Sequence, residues 1–334
     1  MTNATFSALV VHKNDDGSCI GKIEQKSIAD LPENDVLIEV EYSSLNYKDA
    51  LSCEDLKRVT REYPHTPGID AAGIVTSSND KRFQPGDEVL VTGYDLGMNT
   101  SGGYGKYISV PGDWVVKRPA GFDAAYAMTL GTAGFTAGLS VYEILHGGVT
   151  PASGPVLVTG ATGGVGSVAV AILSKIGFDV IAVSNKPEFD EVLTQLGASQ
   201  IVRRSEVDGS ENEAARKPML REKYAAVVDQ TGGNILGSVL KEVKYRGVVT
   251  NCGWVANDVF ETNTCPFMIR GVRLIGIDSV ECPMDIRQAV WDKLANDWRV
   301  DLSSLVTETG LDGVMELAQP ILKGQLKGRT LVKL

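Results

Sequence analysis

Short apolar runs separated by glycine and proline turns fill the first third of this 334-residue chain. Val36, Ile38, Val40 and Tyr42 alternate with Leu37, Glu39 and Glu41, the period of a half-buried strand. PGID (67–70), PGDEVLV (85–91) and GGYGKYISV (102–110) repeat one grammar, a Gly or Pro turn followed by a short extended run. Together they predict a compact β-barrel domain ending near residue 120. Asp123 is placed to cap a helix that opens near Ala124, breaks at Gly131 and resumes through Tyr142. This second helical signal reads as the linker into another domain.

From residue 156 the pattern changes to alternating strands and helices. Apolar runs at 156–158, 180–183, 201–202, 225–228, 248–250 and 272–277 predict six strands. A helix over 188–196 is closed by Gly197. Six strands with crossovers of this length make a doubly wound parallel sheet, so the fold class is α/β. After about residue 282 come a helix over 286–295 and the strand-like RTLVKL, which can return to the first domain. The expected domains are 1–123, 124–282 and a return segment 283–334. The polar run 205–217 reads as a surface loop or helix, and no internal repeat is evident.

The stretch VLVTGATGGVG (156–166) organises the second half. A buried strand, a glycine-rich turn and the helical pattern Val168, Ala171, Ile172 make a dinucleotide-binding turn. Ala161 stands in for the first glycine of the usual G-x-G-x-x-G. The helix N-terminus behind the turn offers N–H groups and a positive dipole end to phosphates.

Composition narrows the setting. A net charge of −10 argues against broad binding to nucleic acid. No apolar run is long enough to span a bilayer; the best, 168–183, is broken by Lys175 and Asp179. The opening ATFSALVV lacks the layout of a signal peptide. Five scattered cysteines without a C-x-x-C suit a reducing cytosol. The expectation is a cytoplasmic protein acting on a small molecule, with no membrane or nucleic-acid partner.

Six stretches carry a resemblance: SSLNYKDAL (43–51), PGIDAAG (67–73), LGTAGFTA (130–137), TGATGGVG (159–166), PFMIRGVRLIGIDSV (266–280) and GRTLVKL (328–334). With the order of domains, they make the chain similar to the medium-chain dehydrogenase/reductase superfamily, in its acryloyl-CoA reductase branch, long labelled quinone oxidoreductases. The resemblance implies a GroES-like β-barrel catalytic domain, a Rossmann domain, NADPH as cofactor, and a homodimer built by pairing Rossmann sheets edge to edge. Relatives of the quinone reductase type also have non-enzymatic roles, as crystallins or RNA binders.

Zinc-dependent members hold their catalytic metal with a Cys near the NYKD position and a His-Glu pair near PGID. Here those positions read Asn46, Ile69 and Asp70. Isoleucine cannot ligate and asparagine is a poor zinc ligand, so the expected enzyme is metal-free. His12, His65 and His146 lie far apart in sequence.

At the tip of the second strand, Ser184, Asn185 and Lys186 stand where NAD-binding folds usually have an acid. A hydroxyl, an amide and a cation suit a 2′-phosphate. The resemblance adds an arginine after the third strand, matching Arg203 or Arg204. It also implies cofactor contacts from Tyr47, from the turn Thr162, Gly163, Gly164 and Val165, and from Trp254, Met268, Ser279 and Gly324. Core packing is an open alternative for Trp254 and Met268.

Without a metal, reduction of an activated C=C bond is the easier chemistry: hydride goes to the β-carbon and charge collects on the carbonyl oxygen. Tyr47 and Asn46 supply donors for that oxygen. Asp49 and Asp70 would repel an enolate, so they read as orienting Asn46, Tyr47 or Lys48, with a structural role for Asp70 equally open. The proton for the α-carbon comes from Tyr47 or water. The expected reaction is NADPH-dependent reduction of an acryloyl-CoA-like enoyl thioester, with quinone reduction as the alternative. Lys57, Arg58 and Arg61, in a segment that borders the cleft mouth in this superfamily, could receive CoA phosphates. Arg58 and Arg61 are the candidate substrate residues, against a solvated loop in which Glu54, Asp55 and Glu62 partly cancel them.

Overall fold

The N-terminal pattern of short apolar runs and turns folds into strands of two to ten residues. The computed structural model describes residues 4–209 and 217–334, so residues 210–216 of the polar run lie outside the described residues. The first seven strands are β1 (Thr5–Lys13), β2 (Cys19–Ser27), β3 (Val36–Leu45), β4 (Asp70–Ser78), β5 (Glu88–Thr92), β6 (Tyr107–Val110) and β7 (Val116–Lys117). β1 and β2 form an antiparallel pair of their own. The alternation seen in the sequence places Val36, Ile38 and Val40 in the core of β3, packed with Ala71, Val75, Val89, Val91 and Ile108. β3 is the hub: it pairs antiparallel with both β4 and β6.

Two short segments between these strands matter later. Helix α1 (Tyr47–Cys53) follows β3 directly, with Asn46 as its N-cap. Helix α2 (Ala124–His146) opens where Asp123 accepts from the Tyr126 N–H at 2.6 Å, a side-chain cap. It is broken at Gly131, whose φ of 51° lies in the left-handed region.

The next six strands are β8 (Val156–Val158), β9 (Val180–Val183), β10 (Gln200–Val202), β11 (Tyr224–Asp229), β12 (Val243–Asn251) and β13 (Arg273–Gly276). They form one parallel sheet in the order β10-β9-β8-β11-β12-β13, the doubly wound arrangement with its switch point beside β8. β8 is fully buried, as its unbroken apolar run requires of a central parallel strand. Burying such residues stabilises strongly; truncating Leu157 to alanine would cost roughly 2–5 kcal/mol. Helix α3 (Gly164–Lys175) follows β8 through the glycine turn.

The chain ends with β14 (Val306–Thr309) and β15 (Arg329–Lys333). β15 pairs antiparallel with β3, so the terminal strand does return to the first sheet, which runs β14-β15-β3-β4-β5-β7. Contacts divide the chain into two compact units. The first holds Met1–Thr132, Val280–Ala289 and Leu305–Leu334; the second holds Ala133–Ser279 and Val290–Ser304. The α2 residues are thus shared, with 124–132 in the first unit and the rest in the second.

Candidate active site

In the second unit the glycine turn is built by three contacts. Gly160 takes φ 57°, so it, and not residue 161, carries the left-handed turn. A Cβ on Gly166 would lie 2.3 Å from the Gly160 carbonyl and 2.7 Å from the Ala161 Cα, which is why helix α3 can approach the strand only through glycine. A Cβ on Gly163 would meet nothing closer than 3.4 Å, and Gly163 is exposed. The spacing is therefore G-x-x-G-x-x-G, a correction to the reading that Ala161 replaces a glycine. Gly163 caps α3 without a side-chain bond, leaving the first-turn N–H groups of Gly164, Val165 and Gly166 without intrahelical partners. Thr162 is buried beside them. This cradle fits a pyrophosphate.

The tips of β9 and β10 sit beside that turn in the sheet. The buried Ser184 Oγ accepts from the Lys186 N–H at 3.0 Å, and Asn185 Oδ1 accepts from the Arg204 N–H at 2.9 Å. The two arginines differ. Arg203 spends its guanidinium on Asp190, at 3.0 and 2.5 Å, and on the Ser184 carbonyl at 3.0 Å. Arg204 is exposed, its Nε 3.6 Å from Asp208. Arg203 thus serves to brace the β9 tip, and Arg204 is the better placed to meet an incoming phosphate. The set of hydroxyl, amide, lysine and arginine fits a 2′-phosphate.

The remaining cofactor candidates are dispersed. Ser279 is buried and accepts from the Thr136 hydroxyl at 2.8 Å. Trp254 is 59 % exposed and Met268 75 % exposed, so core packing is ruled out for both. Gly324 and Tyr47 belong to the first unit; Gly324 is exposed with φ 64°, and Tyr47 is 37 % exposed.

One organiser of this crevice escaped the sequence reading. Asp229, fully buried at the carboxyl end of β11, accepts from Thr159 Oγ1 at 2.6 Å, Thr231 Oγ1 and the Gly232 N–H at 2.9 Å, and Asn251 Nδ2 at 2.7 Å. It ties together the loops after β8, β11 and β12. An aspartate closing a predicted buried strand was the available signal.

The first unit holds a second buried network, and it contains three of the four predicted catalytic residues. Asp70 accepts from Ser44 Oγ at 2.5 Å, from Asn46 Nδ2 at 2.8 Å, and from the Thr132 N–H and hydroxyl at 2.9 and 2.6 Å. Gly131 explains the break in α2: a Cβ there would sit within 2.8 Å of Asp70, Arg329 and Ser44, and the turn hands Thr132 to Asp70. Asp49 accepts from the Asn46 and Ile69 N–H groups, both at 2.8 Å. Both carboxylates are fully buried. Burial, then the proximity of Asp70, pushes the Asp49 carboxyl up to about 7 against the pull of those two backbone bonds. Burial chiefly, and then Asp49, raises the nearby Tyr104 phenol well above its ordinary value.

Asn46 has its amide hydrogens directed at Asp70 and, at 3.2 Å, at Asp49, while its Oδ1 accepts from Arg329 Nη1 at 3.2 Å. A residue expected to donate to a substrate oxygen is thus engaged at both ends inside the protein, and the geometry gives it a holding role. Tyr47, next in the chain, keeps its side chain at the surface of the unit. Arg329 was not foreseen; a single cation opening a strand leaves no periodic trace. Among the described residues no three His, Cys, Asp or Glu side chains converge as a metal-binding group.

In the segment after α1, Glu54 accepts from Gln319 at 2.8 Å and Asp55 pairs with Lys13 at 2.5 Å. Two of the three acids that would offset the local cations are engaged by residues outside the segment, while Lys57, Arg58 and Arg61 are exposed.

An antiparallel strand unit closed by a returning C-terminal strand, joined in sequence to a parallel sheet with a glycine cradle at its switch point, defines a two-unit nucleotide-dependent oxidoreductase. Residues 32–120 match the family described as alcohol dehydrogenase GroES-like domain, and residues 164–296 match zinc-binding dehydrogenase. The chain is 44 % identical to the acrylyl-CoA reductase AcuI of Ruegeria pomeroyi, covering 98 % of each protein. It is also 44 % identical to YhfP of Bacillus subtilis, a protein named as a quinone oxidoreductase, over 98 % of this chain and 99 % of that one; the structure of YhfP with NAD bound superposes with a TM-score of 0.94. Escherichia coli YhdH with bound NADPH, 41 % identical, gives a TM-score of 0.92 over 98 % of this chain and 99 % of that one. The chain belongs to the medium-chain dehydrogenase/reductase superfamily, in the branch of these acrylyl-CoA reductases and quinone oxidoreductases.

Proposed function

We propose that this protein reduces the activated C=C bond of an acryloyl-CoA-like enoyl thioester with NADPH and without a metal. When bound, NADPH supplies the hydride. The chain's part is to bind, orient and stabilise. The glycine cradle, Thr162 to Val165 among its residues, receives the pyrophosphate, and Ser184, Asn185, Lys186 and Arg204 receive the 2′-phosphate. Ser279, Trp254, Met268 and Gly324 complete the cofactor contacts. Tyr47 donates to the substrate carbonyl oxygen as charge collects there; loss of one such donor costs about 3 kcal/mol in the barrier. Asn46, Asp49 and Asp70 hold the segment that presents it.

The metal-free reading rests on what occupies the pocket. A metal site needs ligands with free lone pairs, yet Asp70 already accepts from four donor groups and the Arg329 guanidinium lies 4.0 Å from it. The first unit supplies the substrate residues together with Gly324, the second the pyrophosphate cradle and the 2′-phosphate residues, and a cytoplasmic homodimer is the expected assembly.

The observation that favours a CoA ester over a quinone is the state of the segment 53–63. Asp55 is neutralised by Lys13 while Glu54 meets only the neutral Gln319, so Lys57, Arg58 and Arg61 outnumber Glu54 and Glu62 and leave a small positive field that phosphates need and a quinone does not. The quinone reading retains support from the name of YhfP. Kinetics with acryloyl-CoA, a small enone and a quinone decide between them, in a chelating buffer, on wild type and on Arg58→Glu/Arg61→Glu. The proposal expects kcat/KM to collapse for the thioester alone, with the loss shrinking at high salt. Better turnover of quinones than of acryloyl-CoA, or equal losses on all acceptors, would reject the CoA ester; activity abolished by the chelator would reject the metal-free reading.

A further inference from the structure

Arg329 lies at the start of β15, with its side chain 3 % exposed. Its Nε donates to the Thr129 carbonyl at 2.8 Å, Nη2 to Ser44 Oγ at 2.9 Å, and Nη1 to Asn46 Oδ1 at 3.2 Å. The 4.0 Å gap to Asp70 is too long for a hydrogen bond, so the guanidinium reaches that carboxylate through Ser44 and Asn46, each of which donates to Asp70 in turn. The arrangement polarises the Asn46 amide from both ends, cation at the oxygen and carboxylates at the nitrogen. Asn46 is also held by its backbone N–H to Asp49. A residue fixed by side chain and main chain at once leaves its successor little freedom, and that successor is Tyr47.

We infer that Arg329 is a positioning residue for the reduction: acting through Asn46, it fixes where Tyr47 meets the substrate carbonyl. The inference rests on the role given to Tyr47 in the proposed function. Its guanidinium is suited to the task where an ammonium is not. Three separate acceptors, on α2, on the Asn46 side chain and on β3, are met by one planar fork, whereas lysine offers charge without the geometry. A misplacement of about 1 Å at a reacting group can cost on the order of 100-fold in rate.

The test uses the full-length protein and acryloyl-CoA, with NADPH affinity followed separately by tryptophan fluorescence. Arg329→Met should lower kcat about 100-fold while the Kd for NADPH moves less than about threefold, because the cofactor cradle lies in the other unit. Arg329→Lys should recover only part of the loss. Because Arg329→Met strands buried carboxylates and could prevent folding, the charge-balanced Arg329→Met/Asp70→Asn is made alongside it. That double variant should fold and turn over more slowly than Asp70→Asn alone, which carries the loss of the carboxylate's own bond to Asn46; equal rates for the two overturn the inference. A structural role alone predicts variants that are less stable yet turn over normally per folded molecule, and a normal kcat in the double variant, or full recovery with lysine, overturns the inference. A wild type inactive on acryloyl-CoA fails the proposed function instead, and is seen before any variant is made.

Discussion

Gly163 and Gly166 stand three residues apart in one turn, and alanine at each should fail differently. At Gly166 the added methyl would lie 2.3 Å from a backbone carbonyl and 2.7 Å from a Cα. Neither atom is the end of a flexible side chain, so strand and helix must part by about 1 Å to restore contact distance, at the cost of overpacking a buried junction. That places the loss of stability at roughly 1–3 kcal/mol. At Gly163 the methyl meets only one atom, at 3.4 Å, and φ is −80°, which any residue adopts. Folding should then change by less than about 0.5 kcal/mol. Gly163 is nonetheless the N-cap of α3, where a pyrophosphate would come closest to the chain. Losing one charge-assisted hydrogen bond, about 1.5–3 kcal/mol, weakens NADPH binding roughly 10- to 150-fold. Urea unfolding of the free proteins and NADPH titration of each separate the two effects. Gly163→Ala binding NADPH like wild type, or losing as much stability as Gly166→Ala, would refute the assignment of the turn.

Lys186→Ala should weaken NADPH binding roughly 10- to 150-fold and leave NADH little changed; equal losses for both nucleotides would remove Lys186 from the 2′-phosphate. The raised Asp49 carboxyl, at about 7, makes a statement about pH. Folded protein holds that proton at pH values where unfolded chain has released it, so this group's contribution to stability is full below about pH 4 and is lost as pH rises through about 7. Denaturation midpoints from pH 5 to 8 should therefore fall less steeply in Asp49→Asn than in wild type, and an unchanged slope would show that Asp49 ionises as an ordinary carboxylate.

Much of the fold was readable because it is periodic. Strand β8 and its five neighbours were visible as apolar runs, and the break in α2 at Gly131 showed as an interruption of helical spacing. The cause of that break was not visible, since Asp70 and Thr132 are 62 positions apart and meet only in three dimensions. Asn46 and Asp70 were found through motif, but the direction of their hydrogen bonds depends on Arg329, 283 positions beyond Asn46. Trp254 and Met268 show the opposite limit: the resemblance offered cofactor contact with core packing as its alternative, and only exposure, a property of the surface around them, removes the core alternative. Isolated charges carry little: Asp229 offered only its place at the end of a buried apolar run, and Arg329, opening a strand, offered no periodic trace at all.

The late position of Arg329 has a consequence for synthesis on the ribosome. When Thr132 has been added, Asp49 and Asp70 are already in the chain, and about 200 residues, the whole parallel sheet among them, are still to be made before Arg329 appears. At typical elongation rates that interval is roughly 10–40 s. Throughout it the two aspartates have no guanidinium to face and β3 lacks its β15 neighbour, so the first unit to be translated is the last to be finished. The nascent chain should complete its nucleotide fold first, and a ribosome stalled before residue 329 would carry a protein able to hold cofactor and unable to use it.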